Sequence, residues 1–168
     1  MTEVKIELVE DGFMPERATE GSAAFDCYAR NVKWHEDKGY LEIKLGFKAE
    51  LPKGYVMKLY PRSSVTNRGM MLGNSVGIID SDYRGEIAAR FYPNASSIVA
   101  IMPNAGSSKA LKQYCEEVYR TGEGCAQFIV EKLEDIKLKE VGKGEISNTA
   151  RADGGFGSTD NKDNVCIG

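Results

Sequence analysis

Apolar and polar residues alternate along much of this chain, as expected of strands with one buried face. Val4, Ile6 and Leu8 alternate with Lys5 and Glu7. The same short period returns in four further segments, residues 41–47, 55–59, 87–92 and 128–130. Turn-forming residues separate the segments: Pro15, Gly39, Pro52, Gly54, Gly69, Pro93, Gly122 and Gly124. Short strands at this spacing predict an all-β fold, either a jelly roll or a distorted β-barrel.

One segment departs from the strand period, between residues 94 and 122. Leu111, Tyr114, Cys115 and Val118 fall at i, i+3, i+4 and i+7, which places them on one face of a helix. The candidate N-caps are Ser107 and Ser108. The pattern predicts a short helix over about 108–117.

Residues 151–168, RADGGFGSTDNKDNVCIG, contain four glycines and no apolar period. Taken alone, this composition is typical of a disordered terminus. We therefore divide the chain into a β-barrel domain at 1–150 and a C-terminal arm at 151–168.

Composition narrows the functional classes. A chain of 168 residues with 42% hydrophobic and 28% charged residues is typical of one globular domain. The net charge of −3 provides no broad basic field for nucleic acid or anionic lipid. No apolar run approaches membrane-spanning length and no leader segment is recognisable, so we expect a cytoplasmic protein.

Four cysteines, at positions 27, 115, 125 and 166, form no CxxC pair, and His35 is the single histidine. This set disfavours a zinc site and a histidine-based hydrolase triad. We expect reduced, mostly buried thiols.

The stretch GNSVGIIDSDYRGEI, residues 73–87, carries the most chemistry. An apolar run, 76–79, is followed at once by Asp80, Asp82, Tyr83 and Arg84. Turn composition alone indicates a solvated turn. A carboxylate that apolar neighbours partly desolvate is, however, also suited to general-base catalysis.

Five short segments occur in a characteristic order: GSAAFDCYA (21–29), PRSSVTNRGM (61–70), GNSVGIIDSDYRGEI (73–87), GEGCAQF (122–128) and RADGGFGSTD (151–160). In this order the sequence strongly resembles the trimeric dUTPase family. The resemblance covers the chain except for about 94–117, and the third motif and the GGFGST of the fifth are its most specific parts.

The resemblance implies homotrimers of jelly-roll subunits that hydrolyse dUTP to dUMP and pyrophosphate. This reaction limits uracil in DNA and supplies dUMP for thymidylate synthesis. It implies that Asp80 is the general base for water attack on the α-phosphorus, and that Gln127 lies near that phosphate. It also implies Mg²⁺ held by substrate phosphates and waters, with Asp26 acting on the water shell and no direct protein ligand.

The resemblance also implies the substrate contacts. Tyr83 would lie under the deoxyribose and exclude a 2′-hydroxyl, and the uracil edge would be bound by Asn74, Gly77 and Ile79. The phosphates would be bound by Arg62, Ser63, Ser64 and Arg151. In the arm, Phe156 would stack on uracil, an interaction worth roughly 1–3 kcal/mol, and the triphosphate would be enclosed by Gly157, Ser158 and Thr159.

The sequence departs from the family pattern at several positions. Gly124 stands where the fourth motif usually has arginine, and Ala152 and Asp160 replace glycines of the fifth. Ala24 stands where the first motif usually has glycine. The segment 94–117 is longer than usual, as in some bacteriophage members.

Three alternatives remain open from sequence. A dCTP deaminase shares the Arg-Ser-Ser motif, but its catalytic glutamate has no counterpart in residues 87–90, Ile-Ala-Ala-Arg. A protein-interaction module would bind a regulatory partner through the 94–117 insert, with apolar anchors at Tyr92, Ile98, Ile101, Met102 and Tyr114. A binder of single-stranded nucleic acid would need a basic groove that the composition does not favour.

Overall fold

The computed structural model describes residues 2–94, 96, 108–150 and 152–153. The chain forms two compact units, Met1–Asp135 and Ile136–Gly168. The strands are β1 Lys5–Leu8, β2 Phe25–Tyr28, β3 Asn31–His35, β4 Tyr40–Lys44, β5 Phe47–Glu50, β6 Tyr55–Pro61, β7 Met70–Leu72, β8 Gly77–Ile79, β9 Ala88–Pro93 and β10 Gly124–Lys132. The helices are a 3-10 helix, Ser63–Arg68, and α1, Ser108–Glu117.

The strands form two four-stranded sheets, in the orders β2-β10-β6-β8 and β3-β4-β9-β7, and the pair β1-β5. Every pairing between them is antiparallel. This double-sheet architecture confirms the predicted all-β jelly-roll class.

Side chains from both sheets form one core. Phe128 of β10 stacks on Phe25 with ring centroids 5.3 Å apart, and its ring lies 6.0 Å from that of Phe47. Leu41 and Ile43, from the other sheet, are fully buried. The alternation that predicted strands thus marks the faces that meet in the core.

The predicted helix is present as α1, and it lies against its own chain. The Tyr114 hydroxyl donates to the carbonyl of Arg68 at 2.8 Å. Cys115 is fully buried. The proposed anchors Ile98, Ile101 and Met102 lie outside the described residues.

Two details of the strand prediction are wrong. Residues 41–47 were predicted as one strand, but the structure ends β4 at Lys44 and begins β5 at Phe47. Between them Gly46 has φ +79°, and a Cβ there would lie 2.7 Å from the Gly12 Cα. The backbone therefore turns where only glycine fits. Gly124, taken as a turn signal, instead begins β10.

The prediction of reduced, buried thiols is confirmed for Cys27, Cys115 and Cys125. Burial raises the pKa of Cys125 to about 12 and that of Cys115 to about 11, so both stay protonated at neutral pH. Cys166 lies outside the described residues.

The second unit begins at Ile136, before residue 151 where the sequence placed the start of the arm. It contains local turns closed by backbone bonds, from the Glu145 N–H to the Gly142 carbonyl and from the Ala152 N–H to the Thr149 carbonyl. Ile136, Leu138 and Ile146 are all more than two-thirds exposed.

Among the described residues, no helix is both long and apolar enough to cross a bilayer.

Glu86 fixes the hairpin that carries the third motif. Its carboxylate accepts hydrogen bonds from Arg30 Nε at 3.0 Å, Arg30 Nη2 at 3.2 Å and the Gly46 N–H at 3.2 Å. Lys44 Nζ lies 3.5 Å away. Burial by itself would raise the pKa of Glu86, but the hydrogen bonds from Arg30 and the charges of Arg30 and Lys44 outweigh it and lower that pKa.

We expect Glu86→Gln to lower the free energy of unfolding at pH 7 by roughly 1.5–3 kcal/mol, the range for hydrogen bonds to charged groups. Because the folded pKa is lowered, this stabilisation is present above the unfolded pKa of about 4.3 and is lost as pH falls through the folded value. Urea titrations from pH 7 to pH 3 should show the two proteins converging in acid. Glu50→Gln is the control, because Glu50 and its partner Lys5 are both exposed and should contribute little. A constant gap at every pH would contradict the assignment.

Candidate active site

Strand β10 lies between β2 and β6, and its register places two predicted site residues opposite each other. Gln127 pairs with Asp26 on β2 and with Tyr60 on β6. Directly opposed residues have Cβ atoms about 4.5–5.5 Å apart. The Gln127 Nε2 group donates to the Pro61 carbonyl at 2.9 Å, which ties its amide to the end of β6.

Arg62 follows β6 and reaches back to β2. Its Nε lies 3.1 Å from Asp26 Oδ1. A cavity here is lined by Ser22, Ala23, Ala24, Asp26, Arg62, Ser63 and Gln127. The first, second and fourth motifs therefore meet at one place. Ser64 is in the same 3-10 helix as Ser63 but does not line this cavity.

A second cavity of about 510 Å³ lies along the third motif. Ligand sites of small molecules usually measure roughly 300–1,000 Å³. Its lining includes all five site residues predicted from this motif, namely Asn74, Gly77, Ile79, Asp80 and Tyr83.

The charged hairpin of the third motif is a tight turn. The Tyr83 N–H donates to the Asp80 carbonyl at 3.2 Å, and the Arg84 guanidinium donates to the Ser81 carbonyl at 2.7 Å. The Tyr83 ring folds over Gly85, where a Cβ would lie 2.3 Å from its Oη. That hydroxyl donates to the Glu86 carbonyl at 3.3 Å. Glu86 therefore helps to place both the hairpin and the Tyr83 ring.

A close approach also shapes the apolar end of this cavity. A Cβ on Gly77 would lie 3.1 Å from Leu59 Cβ and 3.5 Å from Asn74 Nδ2. Ser75, between the two motif residues, has φ +59°, so the chain turns sharply there. The Asn74 amide thereby lies near the Gly77 backbone.

Asp80 is exposed to solvent in the single chain. We expected residues 76–79 to desolvate it, but Ile78 is itself 58% exposed, so this desolvation is not met within one chain. The two cavities share no lining residue, and Asp80 lies in a different one from Asp26, Arg62 and Gln127. The arm residues Arg151, Phe156, Gly157, Ser158, Thr159 and Asp160 lie outside the described residues.

Sequence reasoning missed two supporting residues. Glu86 was read as part of the turn, yet its partners Arg30 and Gly46 are distant in the chain. Gly124 was interpreted as a turn residue and as a missing arginine, whereas the Arg62 guanidinium lies directly against it. No local pattern signals either contact, because both partners are brought in by strand pairing.

Comparison with known proteins shows the family to which the chain belongs. A family model described as dUTPase matches residues 10–106. The deoxyuridine 5'-triphosphate nucleotidohydrolase of Anaplasma marginale is 34% identical over 166 residues, covering 95% of this chain and 99% of that protein. The enzyme of the same name from Fusobacterium nucleatum is 32% identical over 165 residues, with the same two coverages.

Solved structures agree in fold. The Staphylococcus bacteriophage 80alpha dUTPase with dUPNHPP has a TM-score of 0.67 and 20% identity, covering 95% of this chain and 99% of that chain. The Streptococcus mutans dUTPase has a TM-score of 0.58 and 23% identity, covering 79% of this chain and 98% of that chain.

Tyr83 offers a direct test of the nucleoside pocket predicted from the third motif. We expect Tyr83→Ala to let UTP compete with dUTP, because the ring that would exclude the 2′-hydroxyl is gone. Tyr83→Phe is the matched control: it keeps the ring and loses only the hydroxyl bond to the Glu86 carbonyl. Competition assays with UTP measure the difference. Unchanged selectivity in the alanine variant would remove Tyr83 from the sugar site.

Proposed function

Because the chain belongs to the dUTPase family, whose members hydrolyse dUTP to dUMP and pyrophosphate, we propose that a water molecule activated by Asp80 attacks the α-phosphorus of dUTP. The observation that carries this proposal is the cavity in which Asp80 lies beside Asn74, Gly77, Ile79 and Tyr83. A carboxylate at the edge of such a cavity would take the proton from a water molecule beside the α-phosphate of a nucleotide bound there.

The nucleoside would be selected by shape and by fixed hydrogen bonds. The Tyr83 ring, which lies over Gly85, would fill the volume beside the sugar. The Asn74 amide and the strand β8 backbone would offer polar groups of fixed direction to the base edge. A site built to hydrogen-bond one edge rejects a mismatched base by up to about 10⁴-fold.

The triphosphate would be bound in the other cavity. The Arg62 guanidinium carries several N–H donors in a planar fork, and Asp26 holds it through Nε. The Ser63 hydroxyl and the Gln127 amide lie beside it. We propose that Ser64 and the arm residues Arg151, Phe156, Gly157, Ser158 and Thr159 complete the enclosure.

The side chains of this cavity fit magnesium bound mainly through substrate. The atoms that could face the ion or its waters are oxygens, from the Asp26 carboxylate, the Ser22 and Ser63 hydroxyls and the Gln127 amide. Mg²⁺ takes oxygen ligands and usually keeps several waters. When bound with the triphosphate, it would neutralise phosphate charge. Asp26, already paired with Arg62, would accept hydrogen bonds from its waters rather than coordinate it directly.

We propose that each site is shared between subunits of a homotrimer. One chain holds the general base and the phosphate-binding groups in cavities with no common lining residue. A cyclic trimer would bring unlike surfaces of neighbouring chains together. A neighbouring surface over Asp80 would also supply the desolvation that the single chain lacks.

A cytoplasmic location belongs to the same proposal. Three buried free thiols agree with a reducing compartment.

Asp80→Asn tests the base. The amide keeps the size of the side chain but cannot accept the proton, so we expect turnover to fall at least about 100-fold. Affinity for a non-hydrolysable dUTP analogue should change little. Asp82→Asn is the matched control, two residues away on the same exposed turn. Near-normal turnover in Asp80→Asn would refute the assignment.

Subunit sharing can be tested by complementation. One inactive variant carries Asp80→Asn, and a second ends before Arg151. The two variants are unfolded together and refolded. In a shared site Asp80 and the arm come from different chains, and with random assembly each of them is intact in about half of the cases, so about one quarter of sites should have both intact. Activity near that fraction of wild type supports shared sites.

Native mass measurement must first show that mixed trimers form. If they form and activity stays at background, each site is built from one chain and the proposal of sharing fails.

A further inference from the structure

We propose that Gly124 is a positioning residue: having no side chain, it leaves the space in which the Arg62 guanidinium lies beside Asp26. This rests on the proposed role of Arg62 as the cation for the triphosphate. The sequence alone marked Gly124 as a turn residue and as the position where the family usually has arginine; the structure adds its contact with Arg62.

The contact is close. A Cβ on Gly124 would lie 1.9 Å from Arg62 Nη1, 2.9 Å from Cζ and 3.5 Å from Cδ. The guanidinium therefore lies against the Gly124 backbone, in the volume that any other residue would fill. On the other strand, Asp26 Oδ1 holds Nε at 3.1 Å.

A β-bulge brings Gly124 to this position. Gln127 pairs with Asp26 and Ala126 with Cys27, but the next partner of β10 is Gly124, opposite Tyr28. Regular pairing would place Cys125 opposite Tyr28. Skipping Cys125 turns Gly124 onto the face that carries Asp26 and Tyr28, because side chains on a strand alternate between faces. Cys125 is 1% exposed, buried away from the site.

The surroundings favour a cation at this place. Arg62 lies on the face that carries both the Asp26 carboxylate and the Tyr28 ring. The Tyr28 hydroxyl donates to Glu16 Oε1 at 2.7 Å, which keeps a second carboxylate near this face. The ion pair with Asp26 is made at Nε and Nη1 lies against Gly124, which leaves Nη2 to donate to a phosphate.

The fold itself does not need glycine here. Gly124 is not among the positive-φ glycines, so its backbone suits alanine. The three nearest atoms that an added methyl would meet all belong to the flexible Arg62 side chain. Gly124→Ala should therefore fold and displace the guanidinium from Asp26.

The primary experiment compares Gly124→Ala with wild type. We expect the KM for dUTP to rise roughly tenfold or more, and the dissociation constant of dUpNHpp, a non-hydrolysable dUTP analogue, to rise equally. This is the effect of losing one charge-assisted hydrogen bond between Arg62 and the triphosphate. The thermal midpoint should stay near the wild-type value. Gly142→Ala is the control, because Gly142 lies outside the five motifs and a Cβ there would first meet the end of the exposed Glu145 side chain, at 3.1 Å; its KM should not change.

A double-mutant cycle separates positioning from a general structural effect. In an Arg62→Ala background, Gly124→Ala should have no further effect on dUpNHpp affinity, because the residue acts through Arg62 alone. Additive losses would overturn the proposal, as would an unchanged dUpNHpp affinity in the single variant.

A measurement on the wild-type side chain covers the case in which Gly124→Ala fails to fold. A crystal structure of wild type with dUpNHpp should show the Arg62 guanidinium against the Gly124 backbone and in contact with the triphosphate. A guanidinium that lies away from Gly124 would overturn the proposal. If wild type itself fails to hydrolyse dUTP, the proposed function is wrong; if it hydrolyses dUTP and Gly124→Ala matches it, only the role of Gly124 is wrong.

Discussion

Strand β10 is bonded on one side to β2 and on the other to β6, and the candidate phosphate site depends on this double pairing. The pairing sets Gln127 opposite Asp26 and beside the end of β6, from which Arg62 extends. Because side chains alternate along each strand, a shift of one residue would send Gln127 to the core face. The β-bulge at Cys125 shifts the register by one residue only at the start of β10, at Gly124, and leaves Gln127 in place.

Glycines at three positions permit close approaches around the candidate site. Gly77 lies against the Leu59 side chain, Gly85 lies beneath the Tyr83 ring, and Gly124 lies beneath the Arg62 guanidinium. None of the three has a positive φ, so backbone freedom is not their purpose. Each permits an approach that a Cβ would block. The site is thus shaped as much by missing side chains as by present ones.

Each of the two cavities is bordered by one ion pair, and the two pairs differ in their exposure to solvent. Glu86 with Arg30 is mostly buried and anchors the hairpin of the third motif to the barrel. Asp26 with Arg62 is more open to solvent, with the arginine side chain 37% exposed. A pair that must later contact phosphate has to remain accessible, whereas a pair that only fixes a hairpin is strengthened by burial. Their different exposures agree with a structural role for the first and a binding role for the second.

The sequence by itself determined the all-β class, the short helix at 108–117, the family and the identity of most candidate site residues. These follow from period, turn residues and motif order, which are local properties of the chain. Only the tertiary structure decided that 41–47 is two strands, that Glu86 anchors the third motif and that Gly124 faces Arg62. Each depends on a partner far away in sequence, Gly12, Arg30 or Arg62, and no local pattern encodes which distant residue strand pairing will place alongside.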